Sequence, residues 1–183
     1  MRYVVIMLLV ALTASINAYA QVGGHLGLYS DPNRSDCQVL ETYPGIFQVF
    51  VVHEFTPGAL ASVFSIPIPS CASVSWLSDT SDYGFLVGFS PLGIGVFYKA
   101  CVAAPIVALR VLYLGSTGQA CCPLAIGPST APGELPYPYA IDCGHLEQVV
   151  TVSPAYFNAN TTCGCTVPTQ ETTWGRLKAT YGK

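Results

Sequence analysis

The sequence predicts an all-β protein, and three observations carry this prediction. Short runs of β-branched and aromatic residues are separated by turn residues, which is typical of strands. The chain contains eight cysteines, and an even number in an exported chain indicates a disulfide framework. Charged residues make up 9% of the chain, against roughly a quarter in ordinary globular proteins. Together these features favour an immunoglobulin-like β-sandwich, stapled by disulfides and followed by a short C-terminal helix.

Each predicted strand ends where turn residues begin. Pro67 and Pro69 indicate that the predicted strand Ser62–Ile68 lies at a sheet edge or ends early. The loop Ser90-Pro91-Leu92-Gly93 joins the predicted strands Tyr83–Phe89 and Ile94–Tyr98 as a hairpin. No amphipathic helix lies between these runs, which argues against a parallel α/β fold. In chain order the predicted strands are His25–Tyr29, Ile46–Phe55, Ser62–Ile68, Tyr83–Phe89, Ile94–Tyr98, Ile106–Leu114, Tyr139–Cys143 and Leu146–Val152.

The strongest predicted strand, Ile106–Leu114, alternates so that two sets of residues face opposite sides. Strands of this number and spacing favour a sandwich over residues 21–152, with a partly closed barrel as the second choice. One set contains Val107, Leu109, Val111 and Tyr113, and the other contains Ala108, Arg110 and Leu112.

The N-terminus has the pattern of a signal peptide over residues 1–20. Arg2 provides the positive start, Val4 to Leu12 is apolar, and Ala18-Tyr19-Ala20 matches a cleavage site. This predicts an extracellular or cell-surface protein, with the periplasm as the other compartment. The best later apolar run, Ala103–Leu114, is shorter than the roughly 20 residues of a membrane-spanning helix, so no transmembrane segment is expected in the mature chain.

The charge distribution argues against nucleic-acid binding. Residues 21–170 contain three basic and nine acidic residues. Phosphate contacts require clustered Lys and Arg. The expected partner is therefore a protein or a glycan.

The cysteines are interpreted as structural bridges, up to four in number. Their spacing lacks the two-residue spacers typical of paired zinc ligands. An up-and-down strand order weakly favours a Cys71–Cys101 bridge. Adjacent cysteines more often bond to two different partners, because a bridge between them strains the intervening peptide. Cys163-Gly164-Cys165 is expected to attach the linker at residues 153–170 to the domain through disulfides. The eight candidates are Cys37, Cys71, Cys101, Cys121, Cys122, Cys143, Cys163 and Cys165.

No catalytic, cofactor-binding or metal-ligating residue is predicted. The chain has neither a Gly-x-Ser-x-Gly elbow nor a His-Glu-x-x-His motif. Asp31, Asn33 and Ser35 alternate as in a calcium loop, but the position that requires glycine is Asp36. The Tyr137-Pro138-Tyr139 segment suits a binding surface. The groups considered and not assigned a role are His25, His53, His145, Glu54, Asp79, Asp82 and Asp142.

Two C-terminal segments follow the predicted domain. Residues 153–170 lose the strand alternation and are interpreted as a linker. Residues 171–183 then form an amphipathic tail in which Trp174, Leu177 and Tyr181 share one face of a short helix. The tail is either an export or surface-attachment signal read by export machinery, or a helix that docks on the sandwich.

The tail also carries a resemblance. Trp174, Gly175, Lys178 and Tyr181 form a Trp-Gly-x-x-Lys-x-x-Tyr pattern, which resembles the ending of uncharacterised exported β-rich proteins from environmental bacteria. The opening Gly27 to Pro32 and the Cys121-Cys122 pair are similar to theirs as well. The resemblance implies an exported all-β domain without an assigned activity.

These observations favour a non-catalytic binding or structural module of the cell surface or extracellular space. Tyrosine-rich loops on an oxidised scaffold suit binding. A small extracellular hydrolase acting on glycans or peptides is the first alternative. A self-assembling extracellular subunit is the second, since the low charge and high apolar content permit association.

Overall fold

The computed structural model describes residues 23–39, 45–116, 120–158 and 163. Over these residues the protein is built from β-strands without a helix, which confirms the all-β prediction. The strands are β1 (His25–Tyr29), β2 (Gln38–Val39), β3 (Gly45–Glu54), β4 (Ala59–Phe64), β5 (Ser73–Thr80), β6 (Gly84–Phe89), β7 (Gly93–Val102), β8 (Ile106–Ser116), β9 (Cys122–Leu124), β10 (Tyr139–Asp142), β11 (Glu147–Val149), β12 (Thr151–Ser153) and β13 (Ala155–Phe157).

The strands form two five-stranded sheets that pack face to face as a β-sandwich. The first sheet has the order β12-β1-β3-β8-β5, and the second sheet has the order β11-β10-β4-β7-β6. A small third sheet contains β2, β13 and β9. Its β13–β2 pair is parallel, as is the β1–β12 pair of the first sheet. Two five-stranded sheets with parallel pairs depart from the ABED and CFG sheets of a constant-type immunoglobulin domain, so the sandwich prediction is confirmed at the coarser level only.

The core lies between the two large sheets, and β8 is its central element. Leu109, Val111 and Tyr113 are fully buried, as their predicted alternation requires. The alternation breaks at Val107, because the pairing of β3 with β8 shifts register between Val51 and Val52. Each one-residue shift exchanges the two faces of a strand. Ile106 and Ala108 therefore enter the core in place of Val107.

Three disulfides are described, and they correct the predicted pairing. Cys71 is bonded to Cys122, and Cys101 is bonded to Cys143, so the expected Cys71–Cys101 bridge is wrong. The expectation assumed an up-and-down strand order, but β5, which follows Cys71, pairs with β8, whereas β7, which carries Cys101, pairs with β4 and β6. Cys121 is bonded to Cys163, so the adjacent cysteines reach different partners. Cys37 is also disulfide-bonded, and Cys165 lies outside the described residues.

The paired strands continue beyond the predicted boundary at residue 152. β13 lies inside the segment interpreted as a linker, and it pairs with both β2 and β9. Three-residue strands carry too little alternation to be recognised from sequence. The predicted signal peptide and the predicted C-terminal helix lie outside the described residues. Within the described part of the chain, no helix is long and apolar enough to cross a membrane.

Candidate functional site

The candidate functional site is the outward-facing side of the second sheet. Phe64, Ile94 and Val96 on β4 and β7 point into the core and are at most 1% exposed, so the residues that alternate with them face outward. Two rows of cross-strand neighbours cross the five strands on this side, and we call this surface the apolar outer face. The first row is Val149, Tyr139, Val63, Gly95 and Val87, and the second is Glu147, Ile141, Ala61, Phe97 and Phe85.

The apolar outer face lacks the polar side chains expected of a solvent-facing sheet. Antiparallel sheets with one wet face normally place polar residues on it, yet Glu147 is the one charged residue in the two rows. Phe85, Val87 and Val149 are 63%, 56% and 59% exposed. Phe85 and Val87 lie on the same side of β6, whereas Val149 lies at the opposite edge of the sheet, beyond Tyr139 and Val63, which are 8% and 5% exposed. Exposed apolar side chains such as the Phe85–Val87 pair mark interaction surfaces.

An aromatic platform lies at the β6–β7 side of this face. The rings of Phe85 and Phe97 stack, with centroids 4.9 Å apart and planes inclined by 8°. The Phe97 ring also lies across Gly95, because a Cβ on Gly95 would come within 2.8 Å of Phe97 Cε2. Glycine at this position lets the ring lie flat against the sheet. The result is a flat, rigid surface with large contact area.

The connection between β9 and β10 forms a wall beside the face. Ser129 and Glu134 line a cleft of about 150 Å³ together with residues of the two rows. The Tyr139 hydroxyl donates a 2.6 Å hydrogen bond to Glu134, and burial, followed by this bond, raises the pKa of Tyr139. Thr130 donates to the Leu92 carbonyl through both its backbone N–H (2.7 Å) and its hydroxyl (2.6 Å). The bonds of Glu134 to Tyr139 and of Thr130 to Leu92 therefore fix the wall to the rest of the domain at two points.

Beneath the face lies a buried chain of hydrogen bonds. His53 Nε2 is 2.7 Å from the Gly23 carbonyl, which can only accept, so Nε2 carries the hydrogen. Nδ1 then accepts from the Ser62 hydroxyl at 3.1 Å, and Ser62 Oγ accepts from the Tyr98 hydroxyl at 2.7 Å. His53 and Ser62 are both fully buried. This Ser–His contact therefore links the two sheets and has no exposed oxygen to offer a substrate.

The buried imidazole predicts a dependence of stability on pH. Burial lowers the pKa of His53 below its ordinary 6.5, against smaller opposing effects of the Gly23 carbonyl and Glu54. The unfolded chain then binds more protons below pH 6.5, so the free energy of unfolding falls on acidification, by at most about 1.4 kcal/mol per pH unit for one histidine. Burial also lowers the pKa of His25, which adds to the effect with the same sign.

Denaturant unfolding measured between neutral and mildly acidic pH tests this expectation. His53→Asn should make the acid slope shallower, and the contribution of His25 should remain. An acid slope in His53→Asn that is as steep as in the wild type would assign the effect to groups other than His53.

A second buried polar group lies at the end of the first sheet. Glu54 is 1% exposed and accepts hydrogen bonds from the Tyr29 hydroxyl at 2.8 Å and from Arg34 Nη1 at 2.7 Å. Arg34 reaches it from the rim of an open cleft of about 400 Å³, whose walls include Phe55 and Pro105. Arg34 and Phe55 both adopt positive φ, 64° and 60°. The ion pair neutralises a carboxylate that burial would otherwise penalise.

The three aspartates Asp79, Asp82 and Asp142 have structural partners. Asp79 accepts from the backbone N–H and hydroxyl of Ser90. Asp82 pairs with Arg110, and Asp142 accepts from backbone N–H groups within its own turn. In the described ranges, no three His, Cys, Asp or Glu side chains are grouped so that they could hold a metal ion. The tail residues Trp174, Gly175, Leu177, Lys178 and Tyr181 lie outside those ranges.

Sequence reasoning missed the apolar outer face as a site. It predicted the strands Tyr83–Phe89 and Ile94–Tyr98, but not which of their residues would lie side by side. The available signal was the alternation of Phe85, Val87 and Phe89 with residues that are also apolar or glycine. Tyr139 begins β10, where the predicted strand Tyr139–Cys143 also begins, and it lies within the face.

Comparisons with known proteins show the fold. A cohesin module from a family 33 glycoside hydrolase of Clostridium perfringens superposes with a TM-score of 0.54 at 10% identity, covering 76% of this chain and 100% of that chain. A non-cellulosomal cohesin from the hyperthermophilic archaeon Archaeoglobus fulgidus gives a TM-score of 0.48 at 12% identity, covering 75% and 91%. The described sandwich is thus similar to that of the first module. No protein-family model matches the chain, and no curated protein matches it either.

Proposed function

We propose that this protein is an exported, non-catalytic module that binds another protein through the apolar outer face. The observation that carries the proposal is the β6 end of the two apolar rows, where Phe85 and Val87 are each more than half exposed. A fold shared with cohesin modules is compatible with a binding or structural module. Exposing such a surface without a partner would promote nonspecific association.

The disulfides support export. Bridges such as Cys71–Cys122 and Cys101–Cys143 persist in oxidising compartments and are rare in the cytosol. The predicted signal peptide over residues 1–20 leads to the same compartment. Attachment through the tail at residues 171–183 stays a prediction of the sequence.

The chemistry of the face favours a protein over a glycan. Recognition of a sugar requires several hydrogen-bonding groups placed around an aromatic ring, because each hydroxyl that loses water needs a partner. Aliphatic Val63, Val87 and Ile141 line the cleft beside Phe97, and the Tyr139 hydroxyl and Glu134 in that cleft are already hydrogen-bonded to each other. Apolar centres with a polar rim are typical of protein interfaces, and Glu147 and Lys99 are exposed at this rim.

Photo-crosslinking followed by titration tests the proposal. With benzoylphenylalanine at position 87, the protein should crosslink to one defined partner protein in its producing cells. The same label at Leu77, which is 39% exposed on β5 of the first sheet, is the matched control. The purified partner should bind Phe85→Ser/Val87→Ser at least about thirtyfold more weakly than the wild type, as for interface hot spots.

Leu77→Ser should bind that partner as the wild type does. An unchanged dissociation constant for the double variant would contradict the proposal, as would identical crosslinks from positions 77 and 87. Crosslinking from position 87 to nothing but a second copy of this chain would also contradict it.

A further inference from the structure

The two large sheets have four edge strands, and β6 differs from the other three. β11 and β12 are three residues long. β5 is longer, but its pairing shifts register between Trp76 and Ser78, and it carries Asp79. β6 has six residues, Gly84–Phe89, without a charge or a proline, and its pairing with β7 has no shift. Among the described strands, β6 is thus the long, regular, uncharged edge.

Such an edge is a template for strand addition. Its outer side presents backbone N–H and C=O groups that the sheet leaves unpaired, and natural proteins normally protect long edges with lysine, proline, bulges or short length. β6 has none of these devices. All of its residues except Leu86 are exposed, so no other described segment covers it.

We propose that β6 pairs antiparallel with β6 of a second copy of this chain. Gly84 and Gly88 flank the three central residues of β6, so a pairing bounded by these two glycines is centred on Leu86. A two-fold axis normal to the sheet then places Phe85 of one copy beside Val87 of the other, twice. Aromatic and β-branched residues form favourable cross-strand pairs. At each end of the paired stretch, Gly84 of one copy lies opposite Gly88 of the other, and neither has a side chain that could clash.

Charge favours a second copy as the occupant. Residues 83–92 contain no charged side chain, so self-pairing brings no like charges together. The nearest acid in sequence, Asp82, is paired with Arg110 of its own chain. An isologous interface requires such self-complementarity.

The consequence is a continuous ten-stranded sheet. A two-fold axis normal to a sheet keeps its faces on the same side, so both apolar outer faces point in one direction and become one larger surface. This dimer goes beyond the proposed function, because it does not depend on what the face binds.

Complementary charges test the dimer and its register. Analytical ultracentrifugation should show a concentration-dependent dimer for the wild type. Phe85→Lys alone and Val87→Glu alone should each raise the dimer dissociation constant by about tenfold or more, because each puts a charge opposite an apolar residue twice. A mixture of the two variants should form the heterodimer, since the introduced lysine of one copy then faces the introduced glutamate of the other while the second Val–Phe pair is kept.

Leu77→Lys, the same kind of change on the neighbouring edge strand β5, should leave the dimer intact. Both β6 positions are more than half exposed, and thermal melting verifies that each variant is folded. If a variant fails to fold, hydrogen exchange of the wild type provides the test instead. The β6 amides should then become more protected as the protein concentration rises. A monomeric wild type, or a mixture that stays monomeric, would overturn the dimer but not the proposed partner-binding face, which the crosslinking experiment tests separately.

Discussion

The Cys71→Ala/Cys122→Ala protein is expected to lose about 4 kcal/mol of unfolding free energy, because its bridge closes a long loop. The two cysteines are 51 residues apart in sequence, and the bridge ties the start of β5 in the first sheet to β9 in the small sheet. Cys122 is 2% exposed and belongs to the core. Its removal therefore also costs packing contacts. Denaturant unfolding under non-reducing conditions measures the loss.

The Cys101→Ala/Cys143→Ala protein is the matched control. That bridge spans 42 residues, so loop entropy alone separates the two losses by only about 0.2 kcal/mol. Cys101 and Cys143 are both exposed, so the control should lose less by about 1 kcal/mol, the packing contribution of the buried bridge. Equal losses in the two proteins would show that core packing by Cys122 contributes nothing.

Arg34→Met is expected to lower the free energy of unfolding by about 2–3 kcal/mol, because it leaves the Glu54 carboxylate buried without its cation. The Glu54 side chain is 2% exposed, whereas that of Arg34 is 34% exposed. Water can therefore reach the arginine side of the pair, which places the loss below the roughly 3–5 kcal/mol of a fully buried broken ion pair. Equilibrium unfolding at neutral pH measures it.

Because Glu54 is buried whereas Arg34 is partly exposed, Glu54→Gln is the control for this prediction. Glu54→Gln leaves Arg34 at the cleft rim, where water can solvate it, so it should cost less than Arg34→Met. An amide at position 54 can still accept the Tyr29 hydrogen bond. Adding Glu54→Gln to Arg34→Met should recover most of the loss. A double variant less stable than Arg34→Met would contradict the assignment of the loss to an unpaired buried charge.

Local patterns account for the strands that were predicted correctly. β1 has the predicted bounds His25–Tyr29, and β8 follows its predicted alternation from Leu109 to Tyr113. Both combine β-branched or large apolar residues with clear turns at their ends. β5 was missed because Ser73–Thr80 is mostly polar and half exposed. Its strand state is determined by pairing with β8, which is a non-local contact.

The sequence by itself determined that this is an all-β chain with few charges, recognisable turn positions and a disulfide framework. These follow from local propensity and residue chemistry, which act over a few neighbouring residues. Only the tertiary structure decided that Cys71 reaches Cys122, that Glu54 is buried against Arg34, and that Val149, Tyr139, Val63 and Val87 share one row. Strand order and register decide such contacts, and a shift of one residue would turn the whole row toward the core.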